Sequence, residues 1–130
     1  MIEEYLSRTE NKTLEFKETA RSIQGIVKSV IAFANTSGGI IIIGIKDKTK
    51  EIVGVNDPLL EEERLSSVIT DSIVPLLVAD IEIHSYREKE LILIHVPHSA
   101  GPFYLRTCSK PKASSLFGII LAYFRFKLQG

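Results

Sequence analysis

The sequence predicts an α/β fold: a single domain with a mixed β-sheet and two main helices packed on it, in βαββαββ order. Three observations carry this. Ile40-Ile41-Ile42-Ile43 is an apolar run without alternation, the pattern of a strand covered on both faces. Ahead of it, Ile23, Ile26, Val27, Val30, Ile31 and Ala34 recur at helical spacing and run into the corner Asn35-Thr36-Ser37-Gly38-Gly39. Behind it, a second helical stripe stops at Pro75, and two strand patterns follow.

In chain order, Met1 to Lys12 reads as a short helix or arm followed by a turn. Thr13 to Glu18 alternates, with Leu14 and Phe16 on one side and Glu15 and Lys17 on the other, which predicts a strand with one wet face. Ser22 is a candidate N-cap for the first main helix, with Gln24 and Lys28 on its outer side. Gly38 and Gly39 close that helix and open a strand, the reverse of a phosphate loop, so a helix C-cap and tight turn is the reading adopted. Strand, helix and strand then form a βαβ unit if the two strands are parallel. Beyond the loop Asp47-Lys48-Thr49-Lys50, Glu51 to Val55 reads as the return arm of a hairpin. Asp57 and Pro58 start the second helix, with Leu60, Leu65, Val68, Ile69 and Ile73 on its stripe. Ala79–Tyr86 and Leu91–Val96 predict a hairpin across Arg87 to Glu90, in which His84 and His95 pair across the strands. Phe103-Tyr104-Leu105 is one further short strand.

At 130 residues, 45% hydrophobic and 25% charged, the chain fits one folded domain. Residues 1–110 are assigned to that domain. Residues 111–130 are an atypical basic and apolar segment, expected to pack on it or at a dimer interface. Acids and bases balance at sixteen each, yet from Ala100 onward there is no acid, and Arg106, Lys110 and Lys112 are basic. A balanced chain can still present a basic face. The single cysteine, Cys108, calls for no oxidising compartment, and the longest apolar runs fall short of the ~20 residues that span a bilayer. A cytoplasmic protein with no membrane partner is expected.

Three carboxylates and a lysine could meet on one rim of the sheet. Glu10 lies five positions before Glu15, Lys17 is two beyond it, and Asp47 follows the isoleucine strand. Such a set suits Mg²⁺ or Mn²⁺, which prefer oxygen ligands and activate water on phosphate esters. On its own Glu-x-Lys is more often a solvated strand face. The three histidines form no metal set with Cys108, and Ser99 has no nucleophile-elbow context. Basic and aromatic residues interleave in Phe103-Tyr104-Leu105-Arg106 and in Tyr123 to Lys127, the mixture that stacks bases and binds phosphates. An apolar strand with snorkelling ends explains the second segment at least as well.

TLEFKE, an amphipathic helix, AFANTSGGIIIIGIKD, EIVGVND and the later PFYLR together closely resemble the Schlafen AlbA-type DNA-binding domain, over about Glu10 to Arg106. That resemblance implies an α/β fold with a mixed sheet and nucleic acid as partner. In Schlafen nucleases two glutamates five apart and an aspartate after the central strand form a metal-dependent ribonuclease site. Glu10, Glu15 and Asp47 fall on those positions, as catalytic and metal-binding candidates with Mg²⁺ or Mn²⁺. Many family members are described only as DNA binders. The end departs from the pattern: where the family continues with a Tyr-x-Arg-x-Gly strand, this chain runs Cys108 to Lys112 and then LFGIILAYFRFKLQG.

The expected function is nucleic-acid binding, DNA or RNA, in a transcriptional regulator acting as a homodimer. The alternative is a divalent-metal endoribonuclease, and a protein-interaction module ranks third. The cations offered to nucleic acid are Lys17, Arg21, Lys28, Lys46, Arg106, Lys110 and Lys112.

Overall fold

The isoleucine run decides the layout. In the computed structural model, which describes residues 2–6, 13–99 and 102–106, strand β2 (Gly39–Ile43) lies inside a four-stranded sheet. On one side it pairs in parallel with β1 (Leu14–Lys17), Phe16 opposite Ile42. On the other it pairs antiparallel with β5 (Lys89–Val96), Ile42 opposite Leu93. Strand β4 (Asp80–Tyr86) completes the order β1-β2-β5-β4. Alternate isoleucines go to opposite faces. Ile41 and Ile43 join one apolar cluster, while Ile42 joins another. The expectation of a doubly covered strand holds.

Helix α2 (Ile23–Asn35) joins β1 to β2, the crossover that parallel neighbours require. Its Ile26, Val27, Val30, Ile31 and Ala34 pack with Ile41, Ile43, Ile92 and Ile94. Ser22 holds the N-cap position, but its hydroxyl makes no capping bond. At the far end Thr36 is the C-cap, its N–H donating to Phe33 O at 3.2 Å, and the Gly38 N–H reaches the same carbonyl at 2.8 Å with φ +77°, so the glycine closes the tight turn just past the cap. Helix α3 (Pro58–Ser72) starts at Asp57, whose Oδ1 accepts from Leu60 N at 3.4 Å. It covers the same face through Leu65 and Ile69.

The opposite face is closed by a short helix α1 (Ile2–Leu6) and by the segment through Ile52. Ile2, Leu14, Phe16, Ile42, Ile45, Leu91 and Leu93 form its core. A separate two-stranded sheet joins β3 (Ile73–Val74), directly after α3, to β6 (Tyr104–Leu105). Val74-Pro75 is a cis peptide.

Several expectations need correction. Glu51 to Val55 is not a strand: the return arm keeps one bridge, Ile45 to Ile52, because Gly44 (φ +111°) and Gly54 (φ +76°) turn the ladder aside. The β4–β5 turn is tighter than read. It has two residues, Arg87 and Glu88, both at positive φ (52° and 66°), and Lys89 and Glu90 belong to β5. His84 faces Leu91 and His95 faces Asp80, so the two histidines do not pair. His95 Nε2 instead lies 3.5 Å from Glu82 Oε1. Leu60, placed on the buried stripe, is 57% exposed.

Candidate functional site

The polar residues singled out in the sequence divide between the two ends of α2. Since β1 and β2 are parallel, both finish at the same end of the sheet, and α2 begins there. The Lys17 carbonyl accepts from Gly44 N at 2.8 Å and from Ile45 N at 3.2 Å, which ties the end of β1 to the segment leading into Lys46 and Asp47. Lys17 Nζ reaches the first turn of α2, 3.9 Å from where a Cβ on Gly25 would stand. Arg21, exposed, lies in the connection between them, and Lys28, also exposed, is one turn beyond Gly25 on the same helix face. Glu15, Lys17, Arg21, Lys28, Lys46 and Asp47 therefore border one end of the domain. The carboxyl ends of parallel strands are where α/β folds generally bind ligands.

Glu15 and Lys17 alternate with the buried Leu14 and Phe16 as the pattern predicts, but their face is only partly wet. The register partner of Glu15 is Ile41, whose side chain packs under the helices, so Glu15 and Lys17 point to the helix-covered side at the sheet edge. Glu15 Oε2 is buried and has no hydrogen-bond partner. Lys17 Nζ stands 3.7 Å away, an ion-pair separation rather than a hydrogen bond, while the two side chains are 27% and 29% exposed overall. One carboxylate oxygen is thus turned inward with an acceptor unspent. The rest of the group meets solvent.

Asp47 is exposed in the turn after β2. Glu15 is level with Ile41, so it sits back from the strand end that Asp47 follows. Glu10 lies outside the described residues, as do Lys110, Lys112 and the segment 111–130 expected to pack on the domain or at a dimer interface. Among the described residues no group of three or more His, Cys, Asp or Glu side chains gathers as a metal site. The oxygen donors of Glu15 and Asp47 suit Mg²⁺ or Mn²⁺ chemistry. Lys46 Nζ is 3.9 Å from Glu51 Oε2. Arg106 lies away from this rim: its N–H donates to Ser72 O at 2.7 Å at the end of α3, three residues beyond Phe103, which Asn35 holds at the far end of α2.

One polar contact escaped the sequence reading. Asn35 Nδ2 donates to Phe103 O at 2.8 Å, and Asn35 Oδ1 accepts from Phe103 N at 2.8 Å. The only local signal was an amide at a helix end, which a capping role explains equally well.

The sheet and its bordering charges define a small α/β domain with its polar groups at the carboxyl end of a parallel strand pair. The chain belongs to the Schlafen, AlbA_2 family, whose model matches residues 10–114. It is 33% identical over 91 residues to an uncharacterized ATP-binding protein of Ureaplasma parvum, a match covering 66% of this chain and 26% of that protein. The chain thus spans about a quarter of that relative. Among solved structures, it is similar to the N-terminal domain of a RecG-related protein from Nitrosomonas europaea, with TM-score 0.69, 22% identity, and 85% and 81% of the two chains covered. The DIP2311 protein of Corynebacterium diphtheriae matches at TM-score 0.60 and 22% identity, covering 84% of this chain and 25% of that one. Both likenesses show the fold. No helix among the described residues is long and apolar enough to cross a membrane.

Proposed function

We propose that this domain binds nucleic acid along the rim where β1 and β2 end, as a DNA- or RNA-binding module of a cytoplasmic, homodimeric regulator. The observation that carries the reading is the convergence of Lys17, Arg21 and Lys28 around the start of α2. Arg21 and Lys28 are exposed, and Lys17 stands half-buried beside Glu15 at the adjoining strand end; cations so placed contact phosphates without reading bases. The family resemblance supports the same partner, and one structural neighbour carries the name of a RecG-related DNA helicase. Binding of a short labelled duplex or single strand, measured against salt, tests it. Affinity should fall steeply as salt rises, and a flat dependence would rule the reading out.

A second reading is favoured by Glu15. A buried carboxylate oxygen without a donor is what a cation would satisfy, and Glu10 and Asp47 are the residues that would complete an oxygen set for Mg²⁺ or Mn²⁺. Such an ion would supply an activated water for phosphodiester hydrolysis. Incubating single-stranded RNA with the protein and Mn²⁺, beside Glu15→Gln, separates a nuclease from a binder.

A further inference from the structure

At the same end of the sheet, but on the face that carries α1, the chain forms a cleft of about 400 Å³ lined by Leu6, Lys50, Glu51, Ile52, Arg87 and Lys89. Leu6 and Ile52 pack on the apolar cluster of that face, so they supply its apolar wall. Around it stand three cations against one carboxylate. The carboxylate, Glu51, has Lys46 Nζ at 3.9 Å, which offsets its charge. Among the described residues, the ion pairs formed elsewhere leave Lys50, Arg87 and Lys89 without an acidic partner.

The backbone gives an independent reason to single out this place. Lys50 (φ 58°) and Arg87 (φ 52°) are two of the three non-glycine residues at positive φ among those described, and the third, Glu88, is adjacent. Turns of this shape take Gly, Asn or Asp when stability alone decides. Here long cationic side chains hold the unfavourable positions. Strain of this kind gathers at ligand sites. Arg87 is also placed: its guanidinium carbon lies 5.0 Å from the centroid of the Tyr86 ring, an aromatic platform beside the cleft.

We propose that this cleft binds a phosphate-bearing ligand, with Lys50, Arg87 and Lys89 on the phosphate oxygens and Leu6 and Ile52 against the apolar remainder. Phosphate fits better than carboxylate, since three cations lining one cleft suit a group that carries more than one charge and several acceptor oxygens. The proposal stands apart from the reading of the Glu15 rim, because the cleft lies on the other face and shares no lining residue with it.

The test is an amide chemical-shift titration of the full chain at low salt, with inorganic pyrophosphate and, separately, a short single-stranded oligonucleotide. Saturable shifts are expected at Lys50 to Ile52 and Arg87 to Lys89. The triple variant Lys50→Asn, Arg87→Asn, Lys89→Gln should weaken them about tenfold or more. Asn tolerates positive φ, and Gln keeps most of the stem that packs near Gly54, so this variant should melt no lower than the parent. An oligonucleotide binding tighter than pyrophosphate, with that advantage lost in the variant, identifies a polynucleotide backbone. Equal binding identifies a free phosphate compound. Shifts confined to the Glu15 rim, no saturation with either probe, or a folded variant that binds like the parent would overturn the proposal.

Discussion

Asn35 and Phe103 are joined by a pair of hydrogen bonds, one in each direction, across 68 positions of sequence. The amide fastens the segment Phe103-Tyr104-Leu105 to the end of α2, and the buried Phe103 ring then completes the helix-side core. Asn35→Ala removes both bonds and leaves a part-buried backbone N–H and carbonyl unmet, at a cost of about 2 kcal/mol. Asn35→Asp keeps the acceptor alone and should fall between Ala and the parent. Urea unfolding midpoints rank the three, and an Asp variant as unstable as Ala would show that the acceptor adds nothing.

The corner before β2 makes a second prediction. A Cβ on Gly38 would stand 2.9 Å from Val96 O and 3.0 Å from His98 N, on a backbone at φ +77°. Both obstacles are backbone atoms, so Gly38→Ala should cost about 1–3 kcal/mol or prevent folding. Thermal unfolding followed by circular dichroism reads it. At Gly39 the obstacle is the Phe33 ring, 2.7 Å away, and pairing Gly39→Ala with Phe33→Leu should recover part of the loss.

For nucleic acid, position along α2 decides the effect of each cation. Arg21→Ala with Lys28→Ala should weaken binding to all sequences alike and lower the log–log salt slope by about 2. Arg106→Ala, away from the rim, should change the slope by less than half as much. Fluorescence anisotropy over a range of salt measures both, and a drop of about 1 from Arg106 alone, the full share of one phosphate contact, would move the binding surface off the rim.

The Glu15–Lys17 pair yields a prediction that needs no nucleic acid. Lys17→Met leaves the inward carboxylate oxygen without a countercharge and should destabilise the fold at neutral pH. The loss should stay near 1 kcal/mol, because both groups remain partly in water. Adding Glu15→Gln to Lys17→Met should restore most of it. If Mn²⁺ occupies the site, it should raise the melting temperature of the parent and leave the Glu15→Gln protein unmoved.

What the sequence disclosed, and what it withheld, follows from the range of the forces. The isoleucine run and the α2 stripe were legible because burial repeats with the period of the element itself. The Asp57-Pro58 start and the Gly38 turn at the end of α2 were legible because capping chemistry is local. The depth of Glu15 was not legible, for the opposite reason. Alternation tells that Glu15 and Leu14 face opposite ways but not which face a helix will cover, and here the Glu15 face is half-covered at the sheet edge. The Glu51 to Val55 arm failed because two glycines, Gly44 and Gly54, outweigh a β-rich composition at Ile52 and Val53. The Asn35–Phe103 contact and the cleft at Lys50 and Arg87 join residues distant in sequence, and no local pattern announces them.

The position of β2 also governs how the chain assembles during synthesis. Its parallel partner is made first: Phe16 precedes Ile42 by 26 positions. Its antiparallel partner comes late, with Leu93 following Ile42 by 51. At ribosomal speeds of about 5–20 residues per second, Ile40 to Ile43 wait roughly 3–10 s for β5. During that interval the most apolar of the described strands has one edge open, sheltered only by β1 at its other edge and by α2 on one face. The β4–β5 hairpin, closed by two residues, can form as soon as it emerges and then dock as a unit. A nascent chain stalled before Val96 is therefore the form of this protein most in need of a chaperone.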